Sequence, residues 1–151
     1  MQQAIEKIKR AREAIWWEEP EEIRVLPGIK GAWDQGASTV VFAATKLATL
    51  ITFLNHMRNL ARQGGVDLGT MKAVTGPYLQ FHAGVLGNFY QFADTQQVVS
   101  WAEEALSETE SLVDYATLIE ELAVYLNRVD YWVDTKIPWA KFGQAFEEAL
   151  S

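Results

Sequence analysis

The chain contains no cysteine. That removes disulfides, thiolate nucleophiles and cysteine metal centres together, and it fits a reducing compartment such as the cytoplasm. Histidine is almost missing too, with only His56 and His82 in 151 residues. A di-metal carboxylate bundle needs Glu-x-x-His pairs on facing helices. None occurs, so neither a metal nor another cofactor is expected. Phosphate-cradling loops of the Gly-x-x-x-x-Gly-Lys-Ser/Thr or Gly-x-Gly-x-x-Gly type are absent, as is a Gly-x-Ser-x-Gly nucleophile elbow. Little remains on which to build an enzyme.

Positive charge is missing from one long stretch. No lysine or arginine lies between Lys72 and Arg128, yet that stretch holds eight carboxylates: Asp94, Glu103, Glu104, Glu108, Glu110, Asp114, Glu120 and Glu121. Residues 1–75 carry a net +2 and residues 76–151 a net −9, which gives −7 overall. Such a field repels nucleic-acid phosphate and anionic lipid and draws cationic surfaces. The short run Lys7, Lys9, Arg10 and Arg12 is too small a footprint to hold a phosphate backbone against it. Neither nucleic acid nor a membrane is therefore an expected partner. A protein with a basic surface is. Met1–Arg12 alternates charges with isoleucines, so no signal peptide is expected there.

What is present is helical periodicity. Hydrophobic residues make up 49% of the chain, six of them tryptophans, which is ample for a core and excludes disorder over most of the length. Ile5, Ile8, Ala11 and Ile15 predict an N-terminal amphipathic helix over 1–17, stopped by Pro20. Residues 18–36 read as an irregular arm. Pro27-Gly28 suits a type II turn with glycine at positive φ, and a small hairpin over 23–31 could form around it. A long helix from Ser38 ends at Gly64-Gly65. Asp67 opens a short helical turn to about Val74, and Pro77 starts the next helix, over 77–92. Asp94 with Gln97, and Ser107 with Glu110, have capping-box spacing.

From 110 to 135, Leu112, Tyr115, Ile119, Leu122, Leu126, Val129 and Val133 recur at three- and four-residue steps. Leu118, Tyr125 and Trp132 form a second seam. Pro138 opens a last helix with Trp139, Phe142, Phe146 and Leu150 on one face. The sum is an all-α, single-domain bundle of five to seven helices, with residues 37–151 as its core.

Ala37–Leu54 is apolar enough to be mistaken for a membrane span. Its central Lys46 would cost ~2.5–3.5 kcal/mol in a bilayer. Thr45, Thr49, Thr52, His56 and Asn59 fall on one stripe, which predicts a central bundle helix buried everywhere else.

Several residues are candidates for function. Trp16, Trp17 and Trp33 bracket the arm and could anchor a partner, because tryptophan is enriched at binding hot spots. Glu103, Glu104, Glu108, Glu110, Asp114 and Glu121 would supply the acidic part of that surface. Tyr78, Phe81, His82, Phe89 and Tyr90 could line a site for an apolar small molecule. Asp130 falls near the apolar face of its helix. It must pair, hydrogen-bond or raise its pKa; Arg58 and Arg62 are the arginines proposed for it, and Asp130→Ala is expected to destabilise the fold. His82 with Asp130 or Asp134 would be the acid/base pair of an enzyme.

The expected function is a non-enzymatic, acidic interaction, assembly or regulatory module for a basic partner. A small-residue stripe (Gly76, Gln80, Ala83, Gly84, Gly87, Gln91) lets another helix approach closely. With the two-seamed 110–135 helix, it makes a second copy of the chain a further candidate partner.

Overall fold

Ile5 and Ile8 share one helix face and are fully buried, each worth ~1.5–3 kcal/mol of apolar burial. They dock the first of six helices in this computed structural model, which describes residues 1–15, 20–21, 26 and 28–137. The helices are α1 (Gln2–Glu13), α2 (Ile29–Gln35), α3 (Ala37–Gln63), α4 (Leu68–Phe89), α5 (Thr95–Glu108) and α6 (Leu112–Lys136), with a 3-10 turn at Gln91–Ala93. No strand occurs among the described residues, and the architecture is an all-α bundle.

The centre of the bundle is α6. Both of its seams are buried: Tyr115, Leu118, Ile119, Leu122, Tyr125, Leu126, Val129 and Trp132 are each 1% exposed or less. The seams are covered within the chain by α3, α1 and α5. The apolar excess that suggested a second copy at α6 is therefore already occupied. Buried hydroxyls tie the layers together. Tyr115 Oη lies 2.6 Å from Thr75 Oγ1 of α4, and Tyr125 Oη donates to the Ala93 carbonyl of the 3-10 turn. Each such pair satisfies groups that would be costly to bury alone.

Several boundaries differ from the sequence reading, each for a local reason. The first helix stops at Glu13, with Ala14 as its C-cap; Trp16 and Trp17 lie outside the described residues. The expected hairpin at 23–31 does not form, because Ile29–Gly31 is the first turn of α2. Gly28 does take the positive φ, +89°. Residues 23–25 lie outside the description, as does the helix expected from Pro138.

The two helices expected on either side of Gly76-Pro77 are one. Pro77 sits inside α4, and Ala73 and Pro77 are both exposed, so water can take the carbonyl that the missing N–H leaves unbonded. Asp67 caps α4 as expected, accepting from the Thr70 N–H at 2.9 Å.

Neither predicted capping box forms. Asp94 adopts a left-handed conformation (φ +57°) and makes no side-chain cap. Ser107 donates back to the Glu104 carbonyl within α5, and Ser111 caps α6 in its place, accepting from Asp114 N–H at 3.1 Å. The small-residue stripe serves the α4–α5 crossing. A Cβ on Gly87 would lie 2.7 Å from Gln96 Cβ, whereas Gly84 faces open space.

Candidate functional site

Three regions carry the residues singled out from sequence. The first is the outer face of α3 and α4. Among the described residues, α3 is the one helix long and apolar enough to cross a bilayer by length and composition, yet only a third of its most apolar stretch is buried. The expectation of a helix buried on all but a narrow stripe fails here. Val41, Phe42, Thr45, Ala48, Thr49 and Thr52 are all exposed, beside Phe81 of α4 at 67%.

The polar character expected of this stripe is also lost. Thr45, Thr49 and Thr52 donate their hydroxyls to the Val41, Thr45 and Ala48 carbonyls of their own helix at 2.8–2.9 Å. Their donors are used, and methyl groups complete the surface. The one cation amid it, Lys46, lies over the rings of Phe42 and Phe81, 5.4 and 5.8 Å from their centroids. An open groove of about 570 Å³ runs along Thr45, Thr49, Thr52, Phe53, His56 and Tyr78.

His82 lies beneath this face, 3% exposed. Its ring stacks on Tyr78, which stacks on Phe53, with centroids 4.4 and 3.8 Å apart. Nδ1 is 2.9 Å from the Tyr78 carbonyl oxygen. A carbonyl can only accept, so Nδ1 carries the proton. His82 is a packed aromatic tied to its own helix, and no hydrogen bond or ion pair joins it to Asp130 or Asp134. The acid/base pair considered from sequence is not assembled. Phe89 is half-buried and meets Phe42 edge-on.

The second region is the C-terminal part of α6. Asp130 is half-exposed. Arg58 and Arg62, the arginines expected to neutralise it, both go to Glu120, at 3.9 and 2.5 Å. Desolvation, then the charge of Asp134 one turn away, push the Asp130 carboxyl above its ordinary pKa. Asp130 and Asp134 in turn act on Tyr90. Burial first, then these two charges, push its phenol up, so it stays protonated at neutral pH.

Those causes give a separate expectation for removing the charge of Asp130 while keeping its shape. A raised carboxyl pKa means that the folded chain binds the proton more tightly than the unfolded chain. Between the ordinary and the raised value, stability therefore falls as pH rises. Asp130→Asn should stabilise the fold at pH 7 by about 0.5 kcal/mol, the scale of a relieved like-charge i,i+4 pair. The gain should vanish as the pH drops through the ordinary carboxylate range. Urea titrations at pH 7 and pH 3.5 measure the difference; an equal gain at both would rule out charge as the cause.

The third region is the acidic surface of α5 and the start of α6. Glu104 and Glu110 are exposed, while Glu103 and Asp114 are half-exposed; none has an ion-pair partner among the described residues. Glu108 is held by the amino group of Met1 at 2.8 Å, which lowers its pKa. Glu121 does not join this surface as expected. It turns inward and meets Arg12 of α1 at 3.8 Å, the two side chains 20% and 28% exposed. Trp33 packs half-buried against the core, so its ring is less open to a partner than the sequence suggested. No group of three or more His, Asp or Glu side chains fit to hold a metal occurs among the described residues.

The sequence reading missed the exposed apolar strip; among the described residues Val41, Phe42, Val74 and Phe81 are the exposed large apolar side chains of α3 and α4. Residues 1–135 match the model of the family described as the cucumopine synthase C-terminal helical bundle domain, and the chain belongs to that family. No curated protein and no solved structure matches it.

Proposed function

From a helical bundle of the cucumopine synthase C-terminal family, we propose a non-enzymatic assembly module that docks a protein partner through the α3–α4 face. The observation that carries this reading is the uncovered strip of Val41, Phe42, Ala48 and Phe81, flanked by threonines whose hydroxyls are already bonded. Contiguous apolar surface of this kind marks interaction sites on otherwise polar monomers. The family's description names the bundle as one domain of a synthase, which suits a module that works beside a catalytic partner. Glu103, Glu104, Glu110 and Asp114, on α5 and around the start of α6, add negative charge that favours a partner bearing lysine or arginine and disfavours nucleic acid. A second copy of the chain is one candidate for that partner. The poverty of nucleophiles and metal ligands costs this reading nothing.

Phe81 and Val41 are exposed, so Phe81→Glu and Val41→Glu should leave stability within ~0.5 kcal/mol of the parent chain. Association should fall at least about tenfold for each, since a charge would be buried against an apolar partner. Affinity capture from the native source, followed by sedimentation of the recovered complex, compares the three proteins. Equal capture by all three would overturn the reading. So would loss of all binding protein in favour of co-sedimentation with vesicles.

A further inference from the structure

At the junction of α2, α3 and α6 lies a partly open cavity of about 190 Å³, whose walls include Ile29, Ala32, Ala43 and Val133. Two polar side chains interrupt this apolar lining, Tyr90 and Asp134. Tyr90 is only 1% exposed, and its hydroxyl makes no hydrogen bond to a described residue. Its oxygen is therefore free to accept a hydrogen bond from whatever occupies the cavity it lines. Asp134 meets no cation among the described residues, nor does Asp130 one turn earlier on the same helix.

We propose that this cavity binds a small organic cation, an ammonium carried on a compact apolar body. The apolar walls accept the body. Asp134, with Asp130 behind it, faces the charge, and the Tyr90 oxygen accepts from one ammonium N–H. The arrangement discriminates by charge. A carboxylate or phosphate would meet the negative charge of Asp134, reinforced by Asp130 one turn away. A neutral hydrocarbon would leave the phenol unbonded and the carboxylates without a counter-charge. Size limits the ligand as well, because 190 Å³ is the bulk volume of about six waters. A six-membered ring amine is near the upper bound, and a flat polycyclic cation is too large. The site shares only Val41 with the exposed α3–α4 strip, so it stands apart from the docking reading.

Cyclohexylamine, cyclohexanol and cyclohexanecarboxylate share one ring and differ in charge at pH 7. Titrated into the full chain and followed by ligand-observed NMR, the amine should bind at least about tenfold more tightly than the alcohol, as a charge-assisted bond requires. The carboxylate should show no binding. Asp134→Asn, at an exposed position that tolerates the change, should reduce amine binding about tenfold, and Tyr90→Phe should weaken it measurably while the alcohol's weak binding persists. Phe81→Glu should leave all three affinities unchanged. Equal binding of amine and alcohol, no binding of the amine, or full binding to Asp134→Asn would each refute the site. A loss with Phe81→Glu alone would assign the signal to the outer face and refute it equally.

Discussion

Trp132→Ala should destabilise the fold by about 3–5 kcal/mol, the range for deleting a buried tryptophan or phenylalanine. Trp132 is 1% exposed on α6, and its ring lies 5.1 Å from that of Phe92 in the 3-10 turn. Its side chain thus joins the central helix to the segment linking α4 and α5. Removing it leaves a cavity between elements that are far apart in sequence, which the backbone cannot close without moving one of them. A domain of this size holds about 5–15 kcal/mol in total, so the melting temperature should fall by about 10 °C. Guanidinium titration gives the stability directly. Tyr131→Ala and Val113→Ala, at 55% and 75% exposed positions on the same helix, should stay within ~0.5 kcal/mol. If Trp132→Ala resembles those two, the burial of the second seam is wrong.

That contrast also shows how far periodicity could be read. The two seams of α6 were legible because every apolar residue on them but the half-buried Leu112 is buried by the same chain, so pattern and environment agree. The long third helix misled for the opposite reason. Hydropathy counts Val41, Phe42 and Ala48 as core formers, yet which side a neighbour covers is decided by how α4 crosses, and no local pattern encodes that crossing. The threonines added to the error. Side-chain polarity suggests a wet stripe, whereas a hydroxyl bonded to the preceding turn presents its methyl instead.

The two capping boxes failed, whereas the single cap at Asp67 formed. Ser107 had the right spacing, but its hydroxyl found the Glu104 carbonyl first. Asp94 and Glu110 were legible as charge and not as caps. The candidate site was less visible still. Asp130 stood out as an acid near an apolar face, but the cavity that Tyr90 and Asp134 line takes part of its wall, Ile29 and Ala32, from α2. Nothing in residues 18–36 announces a helix there beyond Gly28, which the sequence marked as a turn.

Gly28→Ala should have the second-largest effect, because two penalties fall on one atom. The residue holds φ +89°, where a side chain costs roughly 1–2 kcal/mol. A Cβ placed there would also lie 2.4 Å from the Asn88 carbonyl oxygen and 2.7 Å from that of Phe89. These are backbone atoms at the end of α4 and cannot rotate away, so relief requires α2 to lift off, at a further ~1–3 kcal/mol. Gly64→Ala supplies the comparison. It too has positive φ, +76°, but nothing lies within 4 Å of its would-be Cβ, so only the conformational part applies. Denaturant titration should place Gly28→Ala below Gly64→Ala by at least about 1 kcal/mol. A lifted α2 also removes Ile29 and Ala32 from the cavity wall, so amine binding should be lost in Gly28→Ala and kept in Gly64→Ala. Equal stability of the two variants would mean that α2 does not rest on the end of α4, and the cavity would lose one of its walls with it.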